Sequence, residues 1–282
     1  MFKGGLFDQA FWLDAVCGTA NWDTKTWEHA KITYHFRNNI AFKTIVPAPF
    51  SPYTYFDGTA AQLINLLQTV NFAELYLYPG LEFAIPEALP STIQFSSKHS
   101  RIINHQRNSD FKQGFKSSVQ RQIRKASQLV VIKTSTDAAH FYTLLTSTFQ
   151  KRGAHYTYTS EQVEAVVQLV YAQHCGELLA AVDANGAVHA MGLFVHDEHS
   201  TYYLAGGFAQ QYKQSGAMSL LLATAIEKSL QHSNQFDFCG SSIGSIDHFF
   251  ENFGAQKVPV MVVKKEGNLF FKTALKGYRL FK

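Results

Sequence analysis

Residues 177–230, "ELLAAVDANGAVHAMGLFVHDEHSTYYLAGGFAQQYKQSGAMSLLLATAIEKSL", constrain the fold more than any other part of the chain. Three apolar, strand-like runs follow one another, separated first by Asn185-Gly186 and then by "HDEHS". Asn-Gly suits a tight hairpin because both residues tolerate positive φ. The third run passes through a short polar loop with one glycine, Gly216, directly into a long apolar helix. A helix N-terminus offers free N–H groups and the positive end of its dipole, so "QQYKQSGA" is a natural place for an anion.

Around this centre the pattern is mixed α/β. Ser117–Gln128 reads as a helix, with Ser117 as cap, Gln120 three residues on, and Val119, Ile123 and Ala126 as its buried stripe. Asp137–Gln150 and Ser160–Tyr171 are further helices, the latter with Ser160 as cap. After the apolar helix come a short buried strand in "QFDFCG", a helix in "SIDHFFENFGA" ended by Gly254, and a strand in "KVPVMVVKK".

The first half looks like a worn version of the same order. It starts with an amphipathic helix at Phe7–Cys17, carrying Phe11, Trp12, Ala15 and Val16. Strands at Thr26–Phe36 and Ile40–Val46 flank an "RNN" turn, and a Pro-rich, aromatic loop leads to a helix at Ala60–Val70. A strand in "AELYLYP" follows, stopped by Pro79. The polar, aperiodic run at 104–114 suits a linker, which gives domains at 1–110 and 111–267 and an amphipathic tail helix at 268–282. That tail is expected to pack back on the first domain, with contact to anionic lipid as the alternative.

At 282 residues there is room for two domains, and 46% hydrophobic with 16% charged residues fits a folded globular chain rather than a disordered one. The net charge of +4 is weaker than the clustered basic footprint of a nucleic-acid binder. Cys17, Cys175 and Cys239 form no CxxC pair and no ligand spacing, which suits reduced thiols in the cytoplasm. Asp8, Gln9 and Asp14 interrupt the apolar start, so it does not read as a signal peptide. No uncharged apolar run approaches the roughly 20 residues of a membrane span. His196 and His199 lack companions at ligand spacing, so no metal is expected.

The order of elements, with "KSSVQRQIRKASQ", "GFAQQYKQSGAMSLLLATAIEKS" and "FDFCGSSIGSIDHFFENFGA", resembles the GNAT acyltransferases. Within them it is similar to the acetyltransferase-like domain of the Fem-type family, which includes the aminoacyltransferases of peptidoglycan cross-bridges. "QAFWLDAVCG" resembles the opening of the same relatives, so the likeness covers nearly the whole chain. It implies two tandem GNAT-like domains, the first degenerate, in a monomer that needs no metal. The implied reaction moves an acyl or aminoacyl group to an amine in the interdomain cleft. Acetyl-CoA or another acyl-CoA is the donor in one branch and aminoacyl-tRNA in the other, and the mild charge speaks less for tRNA. The acceptor is a small-molecule or peptidoglycan-precursor amine. A non-catalytic descendant that binds a ligand is a third reading.

The resemblance also implies site residues. Gln211 and Gly216 fit a pyrophosphate loop patterned Gln/Arg-x-x-Gly-x-Gly/Ala, with Gln214 in place of the middle glycine and Ser215 and Ala217 completing it. The plain alternative is a strand–helix connection capped by Ser215. Gly206 and Gly207 allow a bulge and a close approach of the pantetheine arm, or merely end a strand. Asp237, set between Phe236 and Phe238, is the candidate general base, with a structural aspartate as the alternative. The family's general-acid tyrosine, four residues before the next glycine, is Phe250 here. Arg121 and Arg124 share a helix face beside Lys116 and Lys125, and with Arg152, Tyr156 and Tyr158 they are the candidate acceptor contacts, a plain solvated helix face being the alternative for the arginines.

Overall fold

A computed structural model of the protein describes residues 4–38, 42–105, 110–151, 153, 155–240, 243–267 and 271. In chain order the elements of the first part are α1 (Ala10–Cys17), β1 (Trp22–Trp27), β2 (Ala30–Asn38), β3 (Lys43–Ile45), β4 (Phe56–Asp57), α2 (Ala60–Gln68), β5 (Phe72–Tyr76) and β6 (Ile93–Asn104). Then follow α3 (Ser117–Ser127), β7 (Val130–Ser135), α4 (Ala138–Gln150), α5 (Ser160–Ala172), β8 (Gly176–Asp183) and β9 (Val188–His196). The last are β10 (Ser200–Phe208), α6 (Ala217–Ser229), β11 (Gln235–Asp237), α7 (Gly244–Glu251) and β12 (Gln256–Lys265).

Two compact units emerge, Met1–His99 with Val258–Lys282, and Ser100–Lys257. The chain leaves the first unit inside β6 and returns to it inside β12. The aperiodic run at 104–114 therefore follows the crossing, and the segment 111–267 read from the sequence shares residues 111–257 with the second unit.

In the first unit β2 pairs antiparallel with β1, β3 and β4, and β3 runs parallel to β5. Residues Val262–Lys265 of β12 lie antiparallel to β5. The core gathers Ile32, Phe56, Leu63, Leu67, Leu75 and Val263. The strand expected at Thr26–Phe36 is two strands, because the chain turns at the exposed Glu28 and His29. The "RNN" turn falls partly outside the described residues, between β2 and β3, which do pair antiparallel. A capping box starts α2: Thr59 Oγ1 accepts from the Gln62 amide and Gln62 Oε1 accepts from the Thr59 amide. Of the tail, only Phe271 is described; it packs edge-on to Phe42 at 5.0 Å and stacks on Phe72 at 5.8 Å. The rest of the expected tail helix lies outside the described residues.

In the second unit β7, β8, β9 and β10 form the antiparallel meander, β10 runs parallel to β11, and β11 pairs antiparallel with the end of β6. Asn185-Gly186 makes the first hairpin turn, with Gly186 at φ 84° and Asp183 Oδ1 accepting from the Asn185 and Ala187 amides. β9 is buried along nearly its whole length, which requires cover on both faces. On one face Leu179, Ala181, Ala190 and Phe194 join the core shared with α3, α6 and α7. The alternating residues Leu178, Ala180, Met191 and Leu193 are buried on the other, the side of α4 and α5.

Three helix starts differ from the sequence reading by one residue. α3 is capped at Lys116, with the Gln120 side chain donating to the Phe115 carbonyl. α4 is capped by Asp137, whose carboxylate accepts from the His140 amide at 2.9 Å. α5 is capped by Thr159 in a capping box with Gln162. For α3 and α5 the residue read as cap, Ser117 or Ser160, is already helical, and the extended residue before it is the cap.

At the start of the chain Leu6–Asp8 is a 3-10 turn rather than the first turn of the expected Phe7–Cys17 helix. Asp8 is turned inward there, accepting from the Tyr55 amide at 2.9 Å and the Gly5 amide at 3.2 Å. Burial outweighs those bonds and pushes its carboxyl from 3.8 up to about 7. Between those values the folded chain keeps a proton that the unfolded chain has released. Stability therefore falls as pH rises from about 4 to about 7, by up to about 1.4 kcal/mol per pH unit. Urea titrations at pH 4.5 and pH 8 measure this, and Asp8→Asn is expected to flatten the difference.

Candidate active site

β10 and β11 pair over three positions only, ending at Tyr202 opposite Asp237. Beyond them the other flank of β11 still follows β6, the Phe238 amide donating to the Arg101 carbonyl at 3.0 Å, while Cys239 and Gly240 take left-handed backbone, at φ 57° and 67°. The chain thus leaves β10, which runs on to Phe208 still paired with β9 on its other side. The flank of residues 203–208 that β11 would have covered is a strand edge with its backbone groups outside that ladder.

Asp237 holds this parting in place. Its side chain has no exposed surface, and Oδ1 accepts from the Cys239 amide at 2.7 Å and from the Ser100 hydroxyl. Oδ1 is thereby tied to the strand end and its turn. The same enclosure pushes the Cys239 thiol well above its ordinary value, so it stays a neutral thiol.

The two glycines of β10 serve close packing. A Cβ at Gly207 would lie 2.5 Å from the Leu144 carbonyl carbon, so α4 rests directly on the strand there. A Cβ at Gly206 would collide with the Tyr203 hydroxyl. The irregularity in the β9–β10 register falls between Tyr203 and Ala205, just before the glycines. At the strand end the Phe208 amide donates to Thr148 Oγ1 of α4 at 3.3 Å.

The Tyr203 ring stacks on Phe194 at 5.4 Å and meets Phe250 edge-on at 6.0 Å. Its hydroxyl donates to Met218 Sδ in the first turn of α6, at 3.8 Å. A phenol therefore stands where β10 and β11 part, against Phe250. Periodicity in "TYYLAGG" could not single it out, since the adjacent Tyr202 is fully buried and serves the core.

From Phe208 the chain enters a 3-10 turn at Gln210–Tyr212, pinned by stacking of Tyr212 on His189 at 3.7 Å. Gln211, Lys213 and Gln214 are exposed. The side chain at the position of the missing middle glycine therefore points out of the loop. Ser215 is buried, and its Oγ accepts from the Ala217 amide at 3.2 Å, but the helix cap is Gly216, in left-handed backbone at φ 79°. That corrects the expectation of a Ser215 cap. A Cβ at Gly216 would stand 2.5 Å from the Gln122 carbonyl oxygen of α3. α3 also holds the loop through Lys125 Nζ, which donates to the Gln214 carbonyl at 2.7 Å, and the first turn of α6 through Gln122 Oε1, which accepts from Ser219 Oγ at 2.6 Å. The first turn of α6 carries no acidic residue, leaving the dipole end uncompensated.

The remaining expected residues are dispersed. Tyr156 packs against Phe149 at 5.1 Å, Tyr158 at 5.6 Å and Tyr142 at 6.3 Å, and burial pushes its phenol up. Arg152 lies outside the described residues. Arg121 is exposed on α3, and Arg124 lines a cavity between α3 and α6. Among the described residues no group of three or more His, Cys, Asp or Glu could hold a metal, and no helix is long and apolar enough to cross a membrane.

Residues 113–249 match the acetyltransferase (GNAT) domain family. The matched segment, just under half of the chain, has the GNAT-type fold. No curated protein matches the chain in sequence. Solved structures share its fold at low identity: FemX, with 9% identity, covers 92% of each chain at a TM-score of 0.62. The C-terminal domain of a candidate lysylphosphatidylglycerol synthetase from Agrobacterium fabrum has 8% identity and a TM-score of 0.56, with 92% of this chain and 88% of that one covered. L-PGS from Bacillus licheniformis has 8% identity and a TM-score of 0.54, covering 97% and 92%. The chain is thus α/β, built as two tandem GNAT-like units. In this segment the parted strand β10, the loop after it and the start of α6 follow one another directly in the chain. Gly216→Ala is expected to cost roughly 2 kcal/mol or more, from left-handed strain and the clash with Gln122. Gln214→Gly should stay within about 1 kcal/mol of the parent, and chemical denaturation of the two variants checks both.

Proposed function

We propose that the chain is an N-acyltransferase that takes an acyl group from acetyl-CoA or another acyl-CoA and transfers it to an amine. The observation that carries this reading is the parting of β10 from β11 after Tyr202, which leaves a strand edge leading straight into the start of α6. Such an edge suits an amide-bearing arm, and a helix N-terminus without acids suits a pyrophosphate. Gly206 and Gly207 keep β10 close to its neighbours, while Gln211, Gln214, Ser215, Gly216 and Ala217 shape the loop for the anion. A bound CoA thioester supplies an acyl carbon open to attack and a thiolate leaving group.

In the transfer the amine nitrogen bonds to the acyl carbon as the carbon–sulfur bond breaks, the amine loses a proton to solvent, and the sulfur gains one. Tyr203 is the group we assign to deliver that proton, in place of the tyrosine that Phe250 replaces. Asp237 acts as a positioning residue by fixing the end of β11. Arg152, Tyr156 and Tyr158 are assigned to the acceptor side, where Tyr156 and its aromatic neighbours offer an apolar wall.

A second reading, transfer of an aminoacyl group from tRNA to a cell-wall or lipid amine acceptor, is favoured by the FemX-like fold and by the name of the lysylphosphatidylglycerol synthetase. Thermal shift separates the two. Acetyl-CoA, longer acyl-CoAs or CoA at millimolar concentration should raise the melting temperature. No shift with any of them removes the CoA reading, and salt-sensitive retention of aminoacyl-tRNA then supports the second. With the donor established, Tyr203→Phe should lower kcat by about 10²–10⁴-fold while the CoA-induced shift persists.

A further inference from the structure

α6 has two uses in this fold. Its first turn borders the loop already described, while Leu220, Ala223, Thr224 and Glu227 form a stripe further along it. Between that stripe and α3 lies an open cavity of about 340 Å³. This volume lies within the range of small-molecule pockets. Its wall is largely carbon, from Phe115 and Ile123 on one side and Leu220 and Ala223 on the other.

The charge at the rim is one-sided. Lys112 and Glu227 pair with each other at 3.0 Å, and both are more than half exposed. Arg124 also lines the cavity, and among the described residues its guanidinium has no hydrogen-bonding or ionic partner. α3 adds Arg121 and Lys125 and contains no acidic residue along "SSVQRQIRKAS". An apolar wall beside an uncommitted guanidinium complements a molecule with an anionic head and a short apolar tail.

We propose that the cavity between α3 and α6 binds a small anionic amphiphile, a carboxylate or phosphate monoester with an apolar tail, whose anionic head is held by Arg124. The site is separate from the donor surface and does not rest on the acyl-CoA reading. Its ligand is a soluble molecule seated in the open groove between the two helices rather than a bilayer surface.

Calorimetric titration of the full chain with dodecanoate and dodecyl phosphate tests this. Saturable one-to-one binding is expected, weakened by about tenfold in Arg124→Gln, the measure of one charge-assisted hydrogen bond. Arg124→Lys should recover part of the loss, whereas Thr224→Leu, which fills the cavity from a partly exposed position, should abolish binding with its melting temperature retained. Absence of saturable binding to the parent, or equal affinity in Arg124→Gln and Thr224→Leu, overturns the proposal. So does binding that appears only with phosphatidylglycerol vesicles, which would mark a membrane surface instead.

Discussion

The candidate site depends on β11 being only three residues long. β10 is a full-length strand, and a parallel partner of equal length would have closed its edge. Closure is prevented by two local devices: left-handed backbone at Cys239 and Gly240, and the Asp237 carboxylate, which takes the Cys239 amide. On the other flank of β11 the Phe238 amide continues the β6 ladder to the Arg101 carbonyl. Arg101 is itself immobilised. Its guanidinium donates twice to Asp247 of α7, at 2.8 and 2.7 Å, and once to the Ala255 carbonyl at 3.3 Å. A buried charge is tolerated only when it is paired and its donors are satisfied, and this one is. One buried ion pair thus couples the place where the strands part to the helix beside it, which carries Phe250.

The loop after β10 is built by the same logic of close approach. α3 comes so near that only glycine fits at position 216, and it also receives the Gln214 carbonyl through Lys125. The start of α6 is therefore held from outside the strand–loop–helix unit, by a helix far away in sequence. The loop thus keeps its shape with glutamine at position 214. The side chain faces solvent, and the backbone is restrained by α3 rather than by the absence of a Cβ.

Much of the second unit was legible in the amino-acid order. The meander, the Asn185-Gly186 turn and the helices on either side show themselves because period and turn chemistry are local signals. Two strands escaped. β6 carries few apolar residues in its first half, and its burial is confined mostly to Ile93 and Ser100–Ile103. β7 is an edge strand with exposed Val131 and Lys133, so it lacks the buried pattern that marks β8 and β9. The division between the units had no local signal either, because the chain crosses it within two strands rather than through a polar linker.

The site residues divide along the same line. Gly206, Gly207 and the run from Gln211 to Ala217 could be found from the sequence, since glycines and polar loops between a strand and a helix are visible in one dimension. Asp237 could be found but not understood: only the enclosure by Ser100 and the Cys239 amide assigns it to the strand end. Tyr203 could not be told from Tyr202, because one buries its ring in the core and the other stands where two strands separate, and that difference is made by pairing partners. The order of apolar runs, turns and caps by itself determined the α/β class, the meander and the helix that follows it, all products of local backbone preference. Tertiary structure alone decided where β10 is left open and which phenol stands there. Those depend on how far β11 pairs and on what α3 and α7 press against, contacts between residues distant in the chain.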